Sequence, residues 1–183
     1  MNNKIYGIIL MMFFCINTMQ SQQWTQSFEN LSMYRINIDG LSGEEQAIYV
    51  SRIITEMENV LIAKIYPEGD GIIFTESEID FNKVYEKLAI IPGLTIKDRY
   101  KETSSKDEYL SVYNNYGREP VSDLSKRLPS PINIIDPQKQ SRAYSVLKKI
   151  WIEKYPDVYK SSFPTETDQS EAEKAEKLIK ESN

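Results

Sequence analysis

An α+β fold is the class this sequence predicts, and three observations predict it. Residues 33–40, "MYRINIDG", alternate apolar and polar side chains with a period of two. The next nineteen residues, "LSGEEQAIYVSRIITEMEN", switch to helical spacing. The same change of period then recurs once, after a turn-rich "PEGDG" between two β-prone runs.

Taken in order, the elements justify themselves. In the first strand Tyr34, Ile36 and Ile38 face one way and Arg35, Asn37 and Asp39 the other, so one face is buried. In the first helix Ala47, Val50, Ile54 and Met57 share a stripe, with Ile53 beside it. Ser42 followed by Glu45 reads as a capping box, which starts the helix at Gly43, and Asn59 ends it. "VLIAKIY" (60–66) and "IIFTES" (72–77) form a hairpin across Pro67–Gly71. Asp80 caps a second helix with Val84, Leu88 and Ile91 on one face. Pro92-Gly93 punctuates, and a fourth strand runs from Leu94 to about Tyr100. The order strand, helix, strand, strand, helix, strand is the split βαβ arrangement, a ferredoxin-like unit over residues 32–101 with both helices on one face of an antiparallel sheet.

The flanks differ in composition. Lys4 is the only charge before Glu29, and a 12-residue run, "IYGIILMMFFCI", follows it before "NTMQSQQW". This is the pattern of a secretory signal peptide over 1–21, with Ser21 the last residue removed. The run is shorter than the about 20 residues of a membrane-spanning helix, so no integral span is expected after cleavage. Cys15 follows Phe14 rather than a small residue, which weighs against lipidation. Residues 102–137 read as a linker and extended segment, from polar "ETSSKDE" to proline-bearing "RLPSPINIIDP". Residues 138–165 show Ala143, Val146, Leu147, Ile150 and Trp151 at helical spacing. Residues 166–183 are charged and poor in large apolar groups, a solvated helix or disorder.

Composition narrows the function. There is no His, and Cys15 is the single Cys. A chain that loses its leader therefore has no thiolate or imidazole for zinc, copper or iron and no Cys–His or Ser–His pair. Its 27 acidic residues outweigh 22 basic ones, net −5, or −6 once Lys4 is gone. An acidic chain without a basic stripe argues against nucleic acid and anionic lipid. Glu44 and Glu45 stand in a first helical turn, where the dipole favours them as solvated acids rather than catalytic ones. No G-x-S-x-G elbow occurs, and "GLSGEEQ" carries no basic residue to hold phosphate. Asp39, Glu44, Glu45 and Glu68 do not follow the spacing of a calcium loop, and Met57 lies on the core stripe.

Residues 32–100 resemble the heavy-metal-associated domain of copper chaperones and metal-transporting ATPases. After its first strand that family carries Gly, Met, a small polar residue, Cys, two variable residues and Cys. Here Gly40, Leu41 and Ser42 hold the first three places, Gly43 the first cysteine position and Gln46 the second. The helix start and the later "PGL" turn also agree. The likeness covers a little over a third of the chain and implies the frame without the metal site: no metal ligands and no cofactor. It also implies a partner-docking edge at the loop, so Leu41, Ser42, Gly43, Glu44 and Gln46, with Tyr66 and Tyr100, are the candidate partner-binding residues. The stretch "IDPQKQSRAYSVLKKIWIEKYPDVYK" is similar to a segment of small exported bacterial proteins, with Trp151-Ile152 followed by Pro156, Asp157 and Tyr159-Lys160.

The expectation is an exported, periplasmic or secreted, non-enzymatic protein that binds an unidentified envelope protein. An interaction module requires Tyr66, Tyr100 or Tyr113 to be exposed. The alternative is a small ligand or hard metal ion held between the sheet and the Tyr/Trp-rich extension (Tyr109, Tyr113, Tyr116, Trp151), which requires a pocket lined by Tyr116 or Trp151. Otherwise the tyrosines pack the extension onto the open face of the sheet.

Overall fold

The computed structural model describes residues 26–118 and 123–163. The expected signal peptide (1–21) and charged tail (166–183) lie outside the described residues.

Four strands form one antiparallel sheet: β1 (Ser32–Asp39), β2 (Val60–Ile65), β3 (Asp70–Thr75) and β4 (Thr95–Glu102). Their order across the sheet is β2-β3-β1-β4. Helices α1 (Glu44–Thr55) and α2 (Phe81–Leu88) connect β1 to β2 and β3 to β4. Three more helices follow: α3 (Lys106–Asn115), α4 (Pro137–Lys154) and the short α5 (Pro156–Ser162).

The alternation of β1 divides the molecule into two cores. Tyr34, Ile36 and Ile38 pack with Ala47, Val50 and Ile54 of α1 and with Val84 and Leu88 of α2. On the opposite face Met33, Ile72 and Phe74 pack under Tyr109, Leu110, Val112 and Tyr113 of α3 and Val146, Leu147, Ile150 and Trp151 of α4. An irregularity between Val60 and Ile62 turns both Leu61 and Ile62 to this second core. The segment expected to be linker therefore contains α3. Ser105 caps it, accepting from the Glu108 N–H. Within "ETSSKDE", Glu102 ends β4, and Ser105 to Glu108 form the cap and first turn of α3.

The extension covers the sheet as packed core. Tyr109 and Tyr113 are fully buried and stacked, with Phe74 edge-on to Tyr109 at 5.0 Å. Their hydroxyls donate to Ala143 O at 2.9 Å and Ser130 O at 3.3 Å. Trp151 is also fully buried, and its Nε1–H donates to Leu124 O at 3.2 Å. Coverage stops short of β4, whose burial pattern is exposed throughout except at Ile96.

Two further details hold the frame. Gly40 has φ +86°, and a Cβ there would stand 2.0 Å from Gly93 O, so the β1–α1 loop and the α2–β4 turn touch backbone to backbone. Lys139 of α4 is 3 % exposed, and its Nζ donates to Thr55 O (2.6 Å) and Met57 O (2.8 Å). A lysine of the extension thus caps the carbonyl end of α1.

Candidate functional site: an open sheet edge beside a charged trough

An edge strand presents unpaired N–H and C=O groups, so each of the two edges has to be accounted for. The β2 edge is closed from within. Ser51 and Thr55 are buried on α1, where hydroxyls interrupt the apolar stripe. The Ile65 N–H donates to Ser51 Oγ at 2.8 Å and the Ala63 N–H to Thr55 Oγ1 at 3.0 Å. A ferredoxin-like sheet leaves its second and fourth strands as free edges, and this one departs from that at β2, where two hydroxyls of α1 take the place of a neighbouring strand.

The β4 edge is open. The strand pairs with β1 alone, and no element lies beyond it among the described residues. One local contact blunts it: Asp98 Oδ1 accepts the Arg99 N–H at 3.1 Å.

Beside this edge lies the half of the second sheet face that α3 and α4 leave bare. It forms a trough of about 590 Å³ whose polar lining is Arg35, Asn37, Asp70, Lys97, Asp98, Tyr100 and Glu102. Arg35 donates from Nε to Glu102 at 2.7 Å and from Nη2 to Glu108 of α3. The Glu102 hydrogen bond raises the Arg35 pKa, against the opposing effect of desolvation. Asn37 Nδ2–H donates to Asp70 Oδ1 at 2.9 Å. Lys97 pairs with Asp39 at 3.0 Å, and its hydrogen bond holds that carboxyl below the ordinary carboxylate value. The trough is polar, self-paired and solvent-open, with acids in excess.

Of the candidate partner-binding residues, Tyr100 stands in this trough, 54 % exposed and paired across the ladder with Arg35. The loop residues cluster at the end of β1. Leu41 packs against the first core, while Ser42 and Glu44 are exposed. The capping box takes a different form from the one expected. Gly43, at φ +129°, is the N-cap, and Ser42 donates from N and Oγ to Gln46 Oε1 at 2.6 and 3.0 Å. Gln46 is thus a cap acceptor. Asp39 pairs with Thr95, so this loop adjoins the start of β4.

Tyr66 does not join them. It is half-buried where α3 meets the sheet, and burial raises its pKa. Tyr113, expected exposed on an interaction surface, is core. The expected ligand cleft is also filled. Trp151 is buried, and the hollow at Tyr116 measures about 10 Å³, at most one water.

The trough was missed as a site although half its signal was present. Arg35 and Asn37 occupy the off-core positions of β1, and Asp98, Tyr100 and Glu102 alternate along β4. Among the described residues no group of three or more His, Cys, Asp or Glu is placed to hold a metal ion, and no helix is long and apolar enough to cross a membrane. Comparison with family models, curated proteins and solved structures finds no match.

Proposed function

We propose that this chain is an exported, non-enzymatic protein-binding module of the cell envelope that docks an extended segment of another protein along β4. The single observation that carries the reading is the asymmetry of the sheet edges: hydroxyls from α1 close β2, and β4 stands open over eight residues. Strand addition uses such an edge, with main-chain bonds giving affinity and alternate side chains giving specificity. The strand order β2-β3-β1-β4 and the placement of α1 and α2 on one face support a ferredoxin-like unit. Within it, the likeness to the heavy-metal-associated domain supports a frame kept for docking, with Gly43 and Gln46 where that family has thiolates. A strand lying along β4 would pass Tyr100 and reach the Leu41–Gln46 loop. Export and the periplasmic or secreted destination rest on the leader pattern of residues 1–21.

The test is native mass spectrometry of the protein recovered from its host's envelope after mild cross-linking in intact cells. The expected result is a chain starting at Gln22 in complex with a second protein. A chain that carries a stoichiometric metal or small-molecule adduct and no protein overturns the reading.

A further inference from the structure

Over residues 98–102 of β4 the charges are sorted by face. The Arg99 guanidinium lies over Phe81 and Tyr85 of α2, 4.9 and 5.1 Å from the ring centres. Lys101 Nζ lies 5.8 Å from the Tyr34 ring centre. Both bases therefore stand on the α1/α2 face. Asp98, Tyr100 and Glu102 stand on the other face, around the trough, as a period of two requires, and Lys97 joins them where the pairing with β1 is irregular.

This sorting disfavours one occupant, a second copy of the chain. Two copies joined through β4 make a continuous antiparallel sheet about a two-fold axis normal to it. Residues that meet then come from the same face. Centred on Arg99, that pairing sets Arg99 against itself. Centred on Tyr100, it sets Arg99 against Lys101 and Asp98 against Glu102. Centred on Asp98 or Lys101, it opposes that residue to itself. Each of these four registers, which pair the centre of the strand, places like charges directly opposite, which destabilises a ladder.

Building on the docking role proposed above, we infer that β4 accepts an extended segment of a different protein with the inverse charge alternation: acids opposite Arg99 and Lys101, bases opposite Asp98 and Glu102, and an apolar residue opposite Tyr100. Arg99 is already held in place by its two aromatic rings, so its order is largely prepaid. The incoming strand displaces the Asp98 contact to the Arg99 N–H and frees that carboxylate for a base. The minimal core is Lys-Glu-Val-Glu-Lys, which reads the same in both directions and so fits a parallel or an antiparallel strand.

The experiment compares that core with its isomer Glu-Lys-Val-Lys-Glu, each flanked by threonines. Composition and net charge are identical, so only position differs. Both are titrated into the full isotope-labelled chain at low salt, with amide shifts as the readout. The expected result is a preference for Lys-Glu-Val-Glu-Lys of about tenfold, from four cross-strand charge pairs, with shifts on β4. The double variant Arg99→Glu, Lys101→Glu, checked for folding by circular dichroism, should lose that preference. Equal affinities at β4 overturn the charge rule and leave edge docking standing. No binding of either peptide, shifts away from β4, or a concentration-dependent β4 dimer overturns the inference. The proposed function falls separately, on the complex recovered from cells.

Discussion

Replacing Lys139 by Met tests the join between the extension and the first helix. The side chain is 3 % exposed, and its ammonium donates to Thr55 O at 2.6 Å and Met57 O at 2.8 Å. Hydrogen bonds to a charged group contribute about 1.5–3 kcal/mol each. The attraction of a cation to the carbonyl end of a helix adds up to about 2 kcal/mol. Against these stands the cost of removing an ammonium from water, several kcal/mol per ion. Met keeps the length of the stem and its packing, so the variant isolates the polar contribution. Val60 N–H still serves Met57 O, which leaves Thr55 O as the acceptor that loses its cap. The net expectation is a loss of about 2 kcal/mol. In urea at neutral pH, followed by tryptophan fluorescence, that lowers the midpoint by about 1 M with an unchanged slope.

The pH dependence gives a second readout. Burial, opposed by Asp136, holds the Lys139 pKa below its ordinary 10.5. Between the native value and 10.5 the unfolded chain binds more protons, so stability from this group rises with pH. The lead of the native protein over Lys139→Met should grow from neutral pH toward 10.5. A variant as stable as the native protein, with no such trend, would mean that desolvation of the ammonium cancels the stabilisation from the cap.

Three other outcomes follow from the same geometry. Ser51→Ala leaves the Ile65 amide buried without an acceptor and should cost about 1–3 kcal/mol, with faster hydrogen exchange at Ile65; unchanged exchange would show the β2 edge is closed by other means. Gly40→Ala drives a Cβ toward Gly93 O at a backbone with φ +86° and should destabilise by more than about 2 kcal/mol, read as a lower thermal midpoint. Burial raises the pKa of Tyr109, Tyr113 and Tyr116 above the ordinary 10.0, so the stability they carry is intact below pH 10 and is lost as pH rises through their native values. Absorbance at 295 nm should then show exposed tyrosines ionising near 10 and a buried set ionising only as the fold is lost.

The frame was legible because its signals are local. The alternation from Tyr34 to Asp39 marks the face of β1 that packs on α1 and α2, although Met33 on the other face joins the second core, and Asp80 caps α2 as expected, accepting from Asn82 N–H at 3.0 Å. The first helix shows where local reading strays. Gly43 adopts a left-handed φ that shifts the N-cap by one residue, so Ser42 meets Gln46 rather than Glu45. Helix α3 was hidden because Ser104 and Ser105 lead into a charged first turn that reads as linker, although Tyr109, Leu110 and Tyr113 behind it are core. Long-range partners left no trace. Lys139 caps carbonyls 84 and 82 positions away, and nothing near it in the chain announces that. Arg35 looked like a solvated strand residue, yet it ties β4 to α3 through Glu102 and Glu108. Ser51 and Thr55 lie beside the apolar stripe of α1, and their role depends on the strand they face.

The most direct test of an open, docking β4 edge is site-specific photo-cross-linking in the native host. A photoreactive phenylalanine analogue replaces Tyr100 on β4 in one strain and Tyr49 on the outer face of α1 in another; both side chains are about half exposed, at 54 % and 52 %. A discrete cross-linked protein is expected from position 100 and none from position 49. No product at position 100, or a product at position 49 alone, would contradict a docking β4 edge.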